Sequence, residues 1–231
     1  MKIFIPAILV MFACGIVTAG TITGTVRAEG KAAANNGTAT DGAYANRKYK
    51  FAEKVDYSAM HDFVVYIEGP VGTNSTPSTN VVSVATTRVA QHDAMFLPHV
   101  LPVMVGMTVE WPNRDDIFHN VFSMSDAKQF DLGLYKGNPT NTWVTFDKPG
   151  RVDVFCSIHE NMHCIVLVLE NPYFASTDEN GNYKISGVPP GTYKLKAWHE
   201  RLPADTKEIT VPADGDVKVN FTLGIKNLPQ Y

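Results

Sequence analysis

The sequence predicts an all-β protein, and three observations carry that prediction. Nearly every apolar stretch after residue 20 is short, rich in Val, Ile, Thr and aromatic residues, and bounded by Gly, Pro, Asn or Asp, as strands are. No window sustains a helical 3.6-residue period for three turns, the nearest approach being 125–134. Dipeptides that favour chain reversal, Asn180-Gly181 and Pro190-Gly191, stand between the later stretches. Of the 231 residues, 45% are apolar and 19% charged, which excludes a disordered chain and supplies apolar surface for one large or two small cores.

The first element is a targeting segment. Lys2 precedes an apolar run over 3–17, and small residues lead to Ala19 before Gly20. Residues 1–19 therefore read as a signal peptide cleaved after Ala19, which predicts a periplasmic or secreted protein. The run is shorter than the ~20 residues of a bilayer span and no later run reaches that length, so the mature chain is expected to have no transmembrane segment.

Strands are expected next at 21–27, 63–68, 81–87, 107–111, 121–123, 142–146, 151–156 and 165–170. The low-complexity stretches 30–42 and 72–80 read as surface connections, and the basic cluster 47–50 as part of a solvated loop. Asn180-Gly181 predicts a hairpin of 175–178 with 182–186. Pro190-Gly191 predicts a type II turn before a strand at 192–198. Strands at 207–211 and 217–223 complete an antiparallel run, and two β-sandwich modules fit the length better than one. Trp198 and His199 are read as core and surface of the second.

Charge and motifs narrow the function. Twenty Lys and Arg against twenty-three Asp and Glu, without long single-sign blocks, offer no nucleic-acid surface. Three cysteines are too few for a disulfide scaffold. The chain has no Gly-x-Ser-x-Gly elbow, phosphate-binding loop or Cys-x-x-Cys-His haem motif, and is not expected to be an enzyme.

One segment concentrates chemistry: VFCSIHENMHCIVLVLE, residues 154–170. Cys156, His159 and Met162 step every three residues, so a short turn at the end of a strand can aim all three inward, and His119-Asn120 stands upstream at the start of another strand. A thiolate, two imidazoles and a thioether are a donor set for copper, since they bind Cu(I) and Cu(II) with little rearrangement. The Cys-x2-Cys pair common in zinc sites is missing. Other readings stand beside this one. Cys156 and Cys164 can form a disulfide in an oxidising compartment, or Cys164 can be a small buried hydrophobe. His163 and Cys164 are alternative ligands. His61, His92, His99 and His199 are scattered and read as structural or exposed, and Asp115-Asp116 as turn residues without a catalytic role.

The run 79–170 resembles a cupredoxin, with VMVGMTVEWPNRDDIFHNVF ending at the first histidine and a Cys-x2-His-x2-Met loop similar to that of amicyanin. The resemblance implies a Greek-key β-sandwich with one type 1 copper held by His119, Cys156, His159 and Met162. It also implies that Asn120 ties the two ligand loops together near the sulfur. Ile158 stands where such loops often carry proline. The resemblance further implies a carrier of single electrons between redox partners such as a c-type cytochrome and a dehydrogenase. Copper storage or delivery, or an envelope interaction module with an ancillary copper site, are the alternatives.

FASTDENGNYKISGVPPGTYKLKAWHE resembles the transthyretin-like carboxypeptidase regulatory domain, and TITGTVRAEG and DFVVYIEG resemble its first strands. The expected division is a discontinuous regulatory-like sandwich at 20–72 and 171–231, carrying a loop at 30–62, with the cupredoxin at 79–170 inserted. Assigning the N-terminal strands to an enlarged cupredoxin sheet is the simpler alternative.

Overall fold

A computed structural model of the chain describes residues 19–30, 56–71, 87–137, 139–213 and 215–224. Nearly all of the expected signal peptide, the basic cluster, most of the loop 30–62, the connection at 72–80 and nearly all of the expected strand 81–87 lie outside the described residues.

The described residues form strands β1 (Gly20–Glu29), β2 (Val64–Ile67), β3 (Ala90–His92), β4 (Met95–Leu97), β5 (Val100–Met104), β6 (Thr108–Glu110), β7 (His119–Ser125), β8 (Lys128–Tyr135) and β9 (Trp143–Thr145). There follow β10 (Gly150–Phe155), β11 (His163–Leu169), β12 (Phe174–Ser176), β13 (Asn182–Val188), β14 (Gly191–His199), β15 (Leu202–Val211), β16 (Asp216–Lys218) and β17 (Phe221–Gly224). The fold class is all-β. The most helix-like stretch, 125–134, falls largely on β8, whose residues alternate between half-buried and exposed with period two.

Two sandwiches emerge from the pairing. In one, β1 pairs with β13 on one edge and with β16 and then β17 on the other, facing a sheet of order β12-β2-β14-β15. Ile22, Val26, Phe63, Val65, Ile67, Leu195 and Phe221 fill the space between. In the other, a five-stranded sheet of order β5-β11-β10-β7-β8 is covered by the hairpin β3-β4 and the pair β6-β9, around Trp111, Phe146, Val121, Val152 and Val154. β5 pairs in parallel with β11. Neither β5 nor the β3-β4 hairpin is among the strands expected from the sequence.

At the seam, Val64 and Phe174 of the first sandwich pack on Val100, Ile165, Leu167 and Leu169 of the second. β11 is buried along nearly its whole length because each face meets a different core, which explains its unbroken apolar run. Asn171 clamps the point where the chain passes between the sandwiches. Its buried side chain donates to the carbonyls of Ile67 and Gly69 at 2.7 Å each and accepts from Tyr173 N–H at 2.9 Å.

Two turn expectations are overturned. Asn180-Gly181 does reverse the chain, with Gly181 at φ 78° and Asp178 accepting from Asn180 and Asn182, but β12 and β13 join opposite sheets and form no hairpin. A tight turn specifies a reversal, and the apolar faces of the strands decide which sheet each joins. Gly191 has no positive φ, so Pro190-Gly191 is not a type II turn; it too is a crossing between sheets. Trp198 and His199 are the reverse of the expectation: His199 is buried against Phe63, with ring centroids 5.0 Å apart, and Trp198 is half-buried at the seam.

Candidate metal centre

The donors converge where two strands of the five-stranded sheet end. His119 opens β7, while Cys156 follows the last residue of β10. Phe155 pairs with Phe122, so the end of β10 lies beside the start of β7. Residues 156–162 then form a closed turn: Met162 N–H donates to the His159 carbonyl at 3.0 Å and Cys156 N–H to the Met162 carbonyl at 3.2 Å. The three-residue spacing fits that turn, which returns the chain to β11 in time for Met162 to face the core.

One ligand atom each from His119, Cys156 and His159 lie within 4.8 Å of one another. His119 Nδ1 is 3.0 Å from His159 Nδ1, and Cys156 Sγ is 3.6 Å from His159 Nδ1. Donors bonded to one small ion at 2.0 to 2.3 Å stand about 3.3 to 3.7 Å apart; the sulfur–nitrogen spacing falls in that range, and the two nitrogens stand a little closer, so a slight parting of the rings would admit a single ion. His119 is fully buried, Cys156 7% and Met162 1% exposed, and His159 is half-buried.

The orientation of His119 is set by Asp115. His119 Nε2–H donates to Asp115 Oδ2 at 2.8 Å, which leaves Nδ1 with a lone pair facing His159 and the thiol. Asp115 also accepts from the N–H groups of Asp93 at 2.8 Å and Ala94 at 3.0 Å. Those residues form the β3-β4 turn with φ of 53° each, a left-handed conformation that is costly for alanine and is held here by the carboxylate. Burial pushes the Asp115 carboxyl up, but the hydrogen bonds from Ala94, His119 and Asp93 outweigh it and hold it at about 2. Asn113 shapes the approach: its side chain accepts from Asp115 N–H at 2.9 Å and donates to the Ile117 and Tyr135 carbonyls. The reading of Asp115 as a mere turn residue is therefore corrected. The signal was its place four residues before a candidate ligand.

Asn120 joins the two ligand segments. Its N–H donates to Cys156 Sγ at 3.4 Å, and its side chain donates to Ser157 Oγ at 3.2 Å. Both Cys156 and Cys164 are free thiols, which overturns the disulfide reading. Cys164 points into the core of the second sandwich, where burial pushes its thiol well above the ordinary range. His163 turns instead to Asp153, 2.9 Å away. The structure thus gathers His119, Cys156 and His159, with Met162 beside them in the same core, and leaves His163 and Cys164 outside the cluster.

A soft thiolate and two imidazoles, with a thioether in the same core, suit copper, which would be held by these residues and would supply a one-electron redox couple. The two-sheet architecture and this donor set define a cupredoxin fold. Residues 166–224 match the family model of the carboxypeptidase regulatory-like domain.

The chain is similar to the reduced Cu(I) form of an amicyanin mutant, at 26% identity over 38% of this chain and 85% of that one, with a TM-score of 0.33. It is similar to a purple cupredoxin from Nitrosopumilus maritimus, at 22% identity over 36% and 98% of the two chains, TM-score 0.31. A Cu-containing nitrite reductase from Thermus scotoductus matches at 25% identity over 45% of this chain and 26% of its own, TM-score 0.35. With scores this low, the site's chemistry rests on the donors themselves. No curated protein matches the chain.

Proposed function

We propose that the chain is an exported carrier of single electrons, with one type 1 copper held by His119, Cys156, His159 and Met162. The observation that carries this reading is the burial gradient across the donors. His119, Cys156 and Met162 are sealed in the core, and His159 alone of the four reaches towards the surface. It lies in a groove lined by Met95, Phe155 and Ile158, all exposed apolar side chains. Exposed apolar groups around a ligand edge suit brief docking of another redox protein, such as a c-type cytochrome or a dehydrogenase, with electrons crossing at the imidazole.

The residues act by holding still. Asp115 fixes the His119 ring, Asn120 ties Cys156 to the neighbouring strand, and Asn113 fixes the segment that carries Asp115. A scaffold that resists rearrangement keeps the cost of changing redox state low, which favours transfer over storage, where ligands must exchange. The copper sandwich is read as an insertion in the regulatory-like one, supported by the clamp at Asn171. The export segment at residues 1–19 supports a periplasmic or secreted site of action.

Protein-film voltammetry together with NMR self-exchange of copper-loaded protein tests the reading. A reversible one-electron wave with rapid self-exchange is expected. Copper that passes readily to a chelator, with no reversible wave, would favour storage or delivery and overturn it.

A further inference from the structure

A second group of donors lies just beyond the Met162–His163 peptide bond. His99, between β4 and β5, and His163, the first residue of β11, belong to the copper sandwich, whereas Glu200 sits in the β14-β15 turn of the other. One ring nitrogen of each histidine and a carboxylate oxygen of Glu200 lie within 4.8 Å of one another. Reading the sequence alone left His99 without a partner, because its neighbours come from distant parts of the chain.

The hydrogen bonds define which atoms are available. His99 Nδ1 is 3.2 Å from the His163 carbonyl oxygen, and a carbonyl only accepts, so Nδ1 carries the hydrogen. The other ring nitrogen, Nε2, faces Glu200 Oε1, 3.1 Å away, and carries a lone pair whenever it holds no proton. Two acceptors at that distance repel each other unless a cation stands between them, either a proton on Nε2, which makes a plain ion pair, or a metal ion held by both. His163 is arranged in the same way: Nε2–H donates to Asp153 Oδ1 at 2.9 Å, which leaves Nδ1 with the lone pair. Metal-binding histidines are oriented by just such a bond from the second ring nitrogen to a carboxylate or carbonyl. The 3.1 Å spacing is close to what a nitrogen and an oxygen keep when both bind one ion at about 2.0 to 2.2 Å.

We propose that His99, His163 and Glu200 form a second metal site, separate from the copper centre, that takes a divalent ion of the zinc class and clasps the two sandwiches together. Two imidazoles and a carboxylate without a thiolate favour such an ion over Cu(I). The three side chains are 21 to 33% exposed, so an ion reaches them from solvent and water completes its coordination. Glu200 and Asp153 contribute two negative charges against Arg151, which is paired with Asp153 and lies 5.9 Å over the Trp198 ring, so the surroundings favour a dication. An ion that binds only the docked arrangement stabilises it by mass action.

The test uses the purified chain loaded with one equivalent of copper, dialysed against buffered Zn2+, with zinc counted by atomic emission and unfolding followed thermally. One zinc per chain is expected at this site, with a Tm that rises with free zinc. His99→Ala and Glu200→Gln should each weaken that zinc about tenfold or more and remove the rise in Tm. His92→Ala, in the exposed group of His92, Asp93 and Asp115, should do neither. The far-UV circular dichroism of each variant reports that it has folded. Because the readout is the difference between wild type and variants, it stands whether or not copper fills the other site. No zinc bound, or zinc that survives both substitutions, would show a plain ion pair and overturn the proposal.

Discussion

The two sandwiches are made of similar strands but bury different things. The regulatory-like sandwich is filled by aliphatic and aromatic side chains from β1, β2, β13, β14 and their neighbours. Among the described residues its buried polar side chains are His199 and, where the chain leaves it, Asn171, whereas the second sandwich buries Gln91, Asn113, His119, Asn120, Ser123 and Thr142. A buried polar group costs about 1 to 3 kcal/mol when left unpaired, so such groups persist where a network satisfies them. Here most belong to the network that reaches from Tyr135 and Asn113 through Asp115 to His119, or from Asn120 to Cys156. One sandwich is thus organised for stability and the other for holding donors in place, and substitutions should separate the two properties.

The largest expected effect is chemical. Cys156→Ser should abolish the visible charge-transfer band, which belongs to the copper thiolate, while Cys164→Ser, in the core and outside the donor cluster, should leave the band in place. Absorption spectra of the two copper-treated variants check this, and bleaching by the second but not the first would reverse the ligand assignment.

Next in size is a change confined to packing. A Cβ on Gly24 would fall 1.7 Å from the Val219 carbonyl oxygen, where β1 passes between its partners β16 and β17. Gly24→Ala should therefore lower stability by about 3 kcal/mol, because backbone and not a flexible side chain must move. Urea unfolding measures the loss, and the folded fraction should keep an unaltered copper spectrum.

A smaller effect is expected at the junction of network and site. Asp115→Asn keeps the shape but weakens the acceptor that orients His119 and steadies the Asp93–Ala94 turn. Copper affinity should fall about tenfold to a hundredfold, measured by competition with a chelator. An unchanged affinity would mean that packing alone positions the ring.

The smallest effect is a matter of potential. Met162→Leu should leave copper bound by His119, Cys156 and His159 but raise its midpoint potential, since an apolar axial face in a buried site disfavours the more highly charged Cu(II). Voltammetry checks the sign, and an unchanged or lower potential would mean that Met162 is not the axial ligand or that a neighbour replaces it.

How much of this was legible in the sequence depended on whether the cause was local. The all-β class was legible because strand composition and turn residues act over a few positions. Cys156, His159 and Met162 stood out because they share one short turn, and His119 because it opens a strand. Strands β3 to β5 were not legible: β5 reads Val-Leu-Pro-Val-Met, its proline argues against a strand, and it is held by parallel pairing with β11, far along the chain. The failed hairpin at Asn180-Gly181 has the same origin, since the turn is local and the choice of sheet is not. Asp115 was missed because a carboxylate in a turn looks the same whether or not a histidine turns towards it.

The central claim is that Cys156, two histidines and a thioether hold one copper ion in a trigonal site. A combined absorption and EPR spectrum of the chain loaded with Cu(II) tests it most directly, because the two signals report the thiolate bond and the coordination geometry together. An intense visible band from the thiolate and a narrow copper hyperfine splitting are expected, both lost in Cys156→Ser. A colourless adduct with the wide splitting of a tetragonal nitrogen and oxygen site would contradict it.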